Sequence, residues 1–178
     1  AISADDARIV GAPEGQGAVW AARHGDLLVR LPGAQALEIL PEPAGGPETQ
    51  AVLAGQGVRI ERLDGGATAV ELERAEQASA PIACSPDGRW IAAAVEGEVA
   101  IWEASSGRLW ARLPPGGALR APVCGLAWMS GPHLLLTRRH APVAQPSGIE
   151  RWSFVEGGPR EERLRSEGFA ADAIVAAS

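Results

Sequence analysis

The sequence predicts an all-β chain built from repeated four-stranded antiparallel units, and three observations carry that prediction. Short runs of Val, Ile, Leu, Ala and Trp are bounded about every eight to twelve residues by clusters of Gly, Pro, Asp and Ser. Few windows offer the three-and-four apolar spacing of a helix without an intervening Gly or Pro. Four segments also share one plan of strand, Gly-bearing turn and strand: DLLVRLPGAQALEIL (26–40), GVRIERLDGGATAVELE (57–73), EVAIWEASSGRLWARL (98–113) and GIERWSFVEGGPREERL (148–164).

Each such segment is read as the third and fourth strands of a unit. Unit 1 (7–40) begins with ARIVGA (7–12) as first strand and AVWAAR (18–23) as second. Unit 2 (50–74) has QAVLAG (50–55) as second strand but no clear first strand, only PEPAGGPET (41–49) before it. The stretch ELERAEQASA (71–80) follows the β-branched GGATAV without a break, so it is read as a strand running into a loop rather than a helix. Unit 3 (81–113) opens with PIACS (81–85) and WIAAAV (90–95), and unit 4 (124–166) with CGLAWM (124–129) and HLLLTR (133–138). A last run, ADAIVAA (171–177), is the first strand of a further unit spanning 170–178. From Asp26 to Gly57 to Glu98 to Gly148 the repeat advances by 31, 41 and 50 residues. Such uneven loops fit radially arranged sheets better than a solenoid, whose stacked units tolerate less drift.

Unit 3 resembles the WD-repeat β-propeller family. Ser85-Pro86-Asp87-Gly88 stands at the first hairpin, and Trp102-Glu103 stands where the family's Trp-Asp pair usually stands. Trp152-Ser153 takes that place in unit 4, while units 1 and 2 match by pattern, with Leu31 and Leu63 near it. The Gly-His dipeptide common in the family is missing, so the resemblance implies blades held by packing rather than by the family's Asp-His-Ser/Thr-Trp network. The turn Ser105-Ser106-Gly107 followed by Trp110 is also similar to the Thr-Gly…Trp pattern of quinoprotein propellers, although turn chemistry alone explains a Ser-Gly pair there. The resemblance implies a β-propeller of four-stranded antiparallel blades, of which about four are visible. An arc of four leaves raw edges unless it closes on itself or another chain supplies the rest, and the second is expected because ARIVGA already offers unit 1 an inner strand.

Composition narrows the function. The 16 basic against 22 acidic residues give a net charge of −6, which argues against a nucleic-acid partner. No run of eighteen apolar residues is present to cross a membrane as a helix. No signal peptide is visible; with two cysteines too few for a disulfide framework, Cys84 and Cys124 are read as small buried hydrophobes and the expected setting is bacterial and cytoplasmic. All basic residues are Arg, so no lysine chemistry is available.

Catalytic motifs are not found: His24 falls in unit 1 and His133 and His140 in unit 4, and there is no His-Glu-x-x-His, Gly-x-Ser-x-Gly, Walker or calcium loop. GQGAVW (15–20) and GQGVRI (55–60) lack the third Gly of a dinucleotide fingerprint and read as hairpin loops. Asp87 and Gly88 read as a β-turn, PREERLRSE (159–167) as a charged outer strand, and Trp102, Trp128 and Trp152 as packing between blades. Neither a cofactor nor a metal is expected. The expected role is a non-catalytic scaffold for protein partners, the rival being a propeller enzyme or quinoprotein-like cofactor binder. The long connections 41–49, 114–122 and 138–148 are expected on one face, with Arg120, Arg138, Arg139 and His140 as anchors for partner carboxylates.

Overall fold

The computed structural model describes residues 8–12, 15–41, 50–63, 68–114, 122–138, 149–155 and 158–164. Among them run fifteen strands and no helix, in four antiparallel sheets. Sheet 1 holds β1 (Arg8–Gly11), β2 (Gln16–Ala21) and β3 (Leu27–Pro32). Sheet 2 holds β4 (Ala36–Leu40), β5 (Gln50–Gly55), β6 (Gly57–Arg62) and β7 (Thr68–Glu71). Sheet 3 holds β8 (Ala78–Cys84), β9 (Trp90–Val95), β10 (Glu98–Glu103) and β11 (Leu109–Leu113). Sheet 4 holds β12 (Val123–Met129), β13 (His133–Arg138), β14 (Ile149–Val155) and β15 (Gly158–Leu164). Within each sheet the strands pair in chain order, and β4, β8 and β12 lie side by side as inner strands.

One expectation is corrected here. The segment 26–40 is not a hairpin of one unit: β4 pairs with β5, with Ala36 opposite Ala54 and Leu40 opposite Gln50, and is the inner strand that sheet 2 seemed to lack. The reason lies in its two buried faces. Leu37 and Ile39 pack toward sheet 1, while Ala36 and Leu40 pack toward sheet 3, as only a strand sandwiched between sheets can do.

ARIVGA is corrected with it, from first strand to second. In sheet 3 the register between β10 and β11 shifts between Ile101 and Trp102, with Trp102 opposite Leu109 and Ile101 opposite Ala111, so Trp110 is the extra residue of a β-bulge. In sheet 1 the same shift falls between β2 and β3: Trp20 is opposite Leu27, Val19 is opposite Val29, and Leu28 is the extra residue. The turns agree as well. Gly25 N donates to Ala21 O and Ala21 N to Asp26 O, as Gly107 N donates to Glu103 O and Glu103 N to Arg108 O. Sheet 1 thus consists of second, third and fourth strands, with no inner strand among the described residues. Trp20, not Leu31, stands where Trp102 stands.

Three apolar cores join the four sheets. Val10, Val19, Leu31, Leu37, Ile39 and Leu53 fill the seam between sheets 1 and 2. Val52, Ile60, Leu72, Ile91 and Trp102 fill the next, and Ile101, Leu113, Trp128, Leu134, Leu136 and Trp152 the third. No core joins sheet 4 back to sheet 1 among the described residues. The described sheets form an arc.

Candidate functional site

Strand direction divides the connections between two ends of the arc. Turns within first and third hairpins, such as 85–89 and 104–108, leave from one end; the crossovers between sheets, such as 72–77, leave from the other. The connection 41–49 joins β4 to β5 and therefore belongs to the turn end, opposite to 114–122 and 138–148, so the three long connections do not share one face. Arg120, Arg139 and His140 lie outside the described residues.

Arg138 is described, and it is not an exposed anchor: its side chain is fully buried. Its Nε donates to Glu150 Oε1 at 3.1 Å, Nη1 donates to Gly97 O, and Nη2 donates to Pro114 O at 3.0 Å. The guanidinium clamps sheet 4 to the crossover end of sheet 3. Arg59 repeats the device two seams earlier, bonding Glu61 and donating from Nη2 to Pro32 O at 3.2 Å. Pro32 ends β3 and Pro114 follows β11, each closing the matched Arg-Leu-Pro of a fourth strand, so the repeat extends to these clamps.

Indole groups stitch the seams from inside. Trp102 Nε1 donates to Glu73 O at 2.7 Å and Trp128 Nε1 to Ala83 O at 3.1 Å, each reaching the preceding sheet. Trp152 is buried in the third core with Nε1 on Glu150 Oε2 at 3.3 Å. Buried indoles need such acceptors, because an unsatisfied N–H in an apolar seam is costly. Asp87 acts inside its own turn, accepting from Ser85 Oγ and from Arg89 N, while Gly88 takes φ 67°. Glu103 Oε2 accepts from Ser106 Oγ, and Gly107 N donates to Glu103 O.

The turn end of the third seam carries a feature that alternation in the sequence does not reveal. Trp110, turned by the bulge toward sheet 4, is 42% exposed. Its ring lies 4.7 Å from that of Trp90 and 5.3 Å from that of Phe154, which in turn lies 5.3 Å from Trp128. Arg89 Cζ sits 5.6 Å from the Trp90 centroid, within cation–π range, and Arg108 stands two residues before Trp110. Neither guanidinium has a carboxylate partner among the described residues. The result is an accessible aromatic step with uncompensated positive charge beside it.

Other polar groupings are smaller. Between β4 and β8, Glu38 Oε2 accepts from Cys84 N at 2.7 Å; burial lifts its carboxyl from 4.5 to about 7, against the opposing pull of that bond. Burial and the neighbouring carboxyl together push the Cys84 thiol well up, so it stays protonated and poorly nucleophilic. Cys84 and Cys124 are free thiols. His133 Nδ1 lies 2.9 Å from Ser153 Oγ, but no carboxylate orients that imidazole among the described residues. A shallow cleft of about 290 Å³ at the crossover end is lined by Gln56, Arg59, Glu71 and Glu76 among others. No group of three or more His, Cys, Asp or Glu side chains converges as a metal site among the described residues.

Two solved structures share this arrangement. The chain is similar to the WD40 repeats of RRP9, with a TM-score of 0.63 and 17% identity over 89% of this chain and 49% of that one. The fold is that of a partial β-propeller. A computationally designed protein, Ika4, is similar at a TM-score of 0.56 and 19% identity, over 83% of this chain and 85% of that one. The propeller arc thus spans about half the length of the WD40 chain it matches. No protein-family model matches the sequence, and no curated protein sequence does.

Proposed function

We propose that this propeller arc is a non-catalytic scaffold for protein–protein interaction, acting within a larger assembly or a longer parent chain in a bacterial cytoplasm. The observation that carries the reading is the exposed Trp110 step, stacked on Trp90 and Phe154 and flanked by Arg89 and Arg108. Exposed Trp and Arg on a rigid support are the residue types that dominate protein interfaces. The support is rigid because two cores and two indole hydrogen bonds fix the sheets beneath it. Uncompensated Arg charge selects a partner segment that brings carboxylates along with an apolar or aromatic anchor. WD40-like folds commonly serve this purpose, which supports the coarse reading.

A displayed library of random peptides, panned against the chain, tests it. Enriched peptides should combine Asp or Glu with an aromatic residue or Pro, and Trp110→Ala should weaken their binding at least tenfold while the chain stays folded. Failure to enrich such peptides, or equal binding by the Trp110→Ala protein, would sink the proposal. Arg120, Arg139 and His140 remain proposed anchors of a second contact at the crossover end, tested by the same panning with all three replaced by Ala.

A further inference from the structure

We infer that the Trp110 step takes a proline-rich, acidic segment of a partner protein in the polyproline II conformation, laid across the exposed ring. The inference rests on the scaffold reading above and names the ligand chemistry at the same site.

The shape of the step comes first. The Trp110 ring stands between two others: Trp90 at 4.7 Å with the planes inclined by 38°, and Phe154 at 5.3 Å, edge-on at 61°. Phe154 in turn rests on Trp128, which is buried and bonded through Nε1 to Ala83 O. The ring is therefore held from both sides while Trp110 stays 42% exposed. That makes a fixed ridge rather than a socket. A side chain that must insert finds little there to enclose it, whereas a stiff segment can lie across the ridge. A polyproline II segment is preformed, so it loses little conformational entropy on docking, and its proline rings pack on aromatic surfaces.

Hydrogen-bonding capacity selects the same ligand. Of the indoles on sheets 3 and 4, Trp102, Trp128 and Trp152 each donate to a protein acceptor. Trp90 and Trp110 have none among the described residues, and Trp90 Nε1 reaches solvent, since it is not a buried unpaired atom. Two free indole N–H groups thus stand beside the guanidinium groups of Arg89 and Arg108. The nearby carboxylates are engaged in their own turns. Asp87 Oδ1 accepts from Ser85 Oγ and Arg89 N, and Glu103, opposite Trp90 across β9 and β10, accepts from Ser106 Oγ through Oε2. The surface is rich in donors and poor in acceptors. A polyproline II backbone leaves its carbonyls unbonded, and each proline brings a C=O without an N–H, so such a segment supplies acceptors and few donors that would go unmet. Carboxylates between the prolines answer the two Arg charges.

Anisotropy of two labelled peptides of equal length and charge, one repeating Pro-Pro-Glu and the other Ala-Ala-Glu, tests this on the whole chain. The proline peptide should bind at least tenfold more tightly, a comparison that needs no variant to fold. Trp110→Phe keeps an aromatic ridge and removes its N–H, and should weaken the proline peptide roughly two- to tenfold. Arg89→Gln with Arg108→Gln should abolish the preference for Pro-Pro-Glu over Pro-Pro-Gln. Equal binding of the proline and alanine peptides, undiminished binding by Trp110→Phe, or a Glu preference that survives loss of both Arg would overturn the inference. Acidic peptides that depend on Trp110 but carry an aromatic anchor and no proline would also overturn it, and would leave the scaffold reading standing. A chain that binds no acidic peptide at Trp110 loses both.

Discussion

Arg138→Ala would leave the Glu150 carboxylate and the Gly97 and Pro114 carbonyls without their donor in a seam from which water is excluded. Removing one member of a buried, hydrogen-bonded ion pair costs about 3–5 kcal/mol, so the urea midpoint should fall steeply; a loss under about 1 kcal/mol would show that water replaces the clamp. A cation at the end of an apolar strand reads in sequence as the edge of a loop, because the acceptors it meets lie 12, 24 and 41 residues away. Glu38 was equally illegible: one carboxylate amid ALEIL gives no sign that a neighbouring sheet will bury it. Its effect on stability has a definite sign. The folded state holds a proton on Glu38 up to about pH 7, whereas an exposed carboxyl releases it near 4.5. The folded chain therefore binds more protons between those values, and stability is highest below 4.5 and falls as pH rises to about 7. The full loss is roughly 2–3 kcal/mol, allowing for partial exposure. Glu38→Gln keeps an acceptor for Cys84 N, so the wild-type minus variant difference in unfolding free energy should slope downward across pH 5–7 and be flat above 8. A difference independent of pH would contradict the buried carboxyl.

Matched turns make matched experiments. Gly25 and Gly107 occupy the same place in β2–β3 and β10–β11, at φ 72° and 70°. An added Cβ at Gly25 meets nothing within 4 Å, whereas at Gly107 it meets Glu71 O at 2.1 Å, because that turn is pressed against sheet 2. Gly25→Ala should cost only the left-handed backbone strain, about 1–2 kcal/mol. Gly107→Ala should cost that plus the opening of the seam, where Glu73 N donates to Gly107 O, and exceed Gly25→Ala by at least about 1 kcal/mol in equilibrium unfolding. Equal losses would mean that the seam yields freely. The same pair of turns explains what could be read from sequence. All-β antiparallel sheets and the Ser85–Gly88 turn were legible, because alternation and turn residues act locally. The assignment of strands in unit 1 was not, since LPGA between β3 and β4 offers a Gly at positive φ just as a hairpin does. A position-by-position match of VWAARHGDLLVRLP with IWEASSGRLWARLP would have found it. Trp110 was hidden for a different reason: its direction depends on a register shift, and alternation carries no record of one.

An arc of sheets should not be equally stable along its length. Each sheet contacts only its neighbours, so protection against local opening follows how many cores a sheet shares. Sheet 3 shares two, and β9 and β10 hold a nearly continuous run of buried residues from Ile91 to Val95 and from Val99 to Trp102. Sheet 1 shares one, through the faces of Val10, Val19 and Leu31, and its outer strand β3 exposes Leu27 and Leu28. Amide hydrogen exchange should therefore be slowest in β9 and β10, faster in β2 and fastest in β3. Uniform exchange across the four sheets would deny the nearest-neighbour description itself, because a chain that opens only as a whole has no weak end.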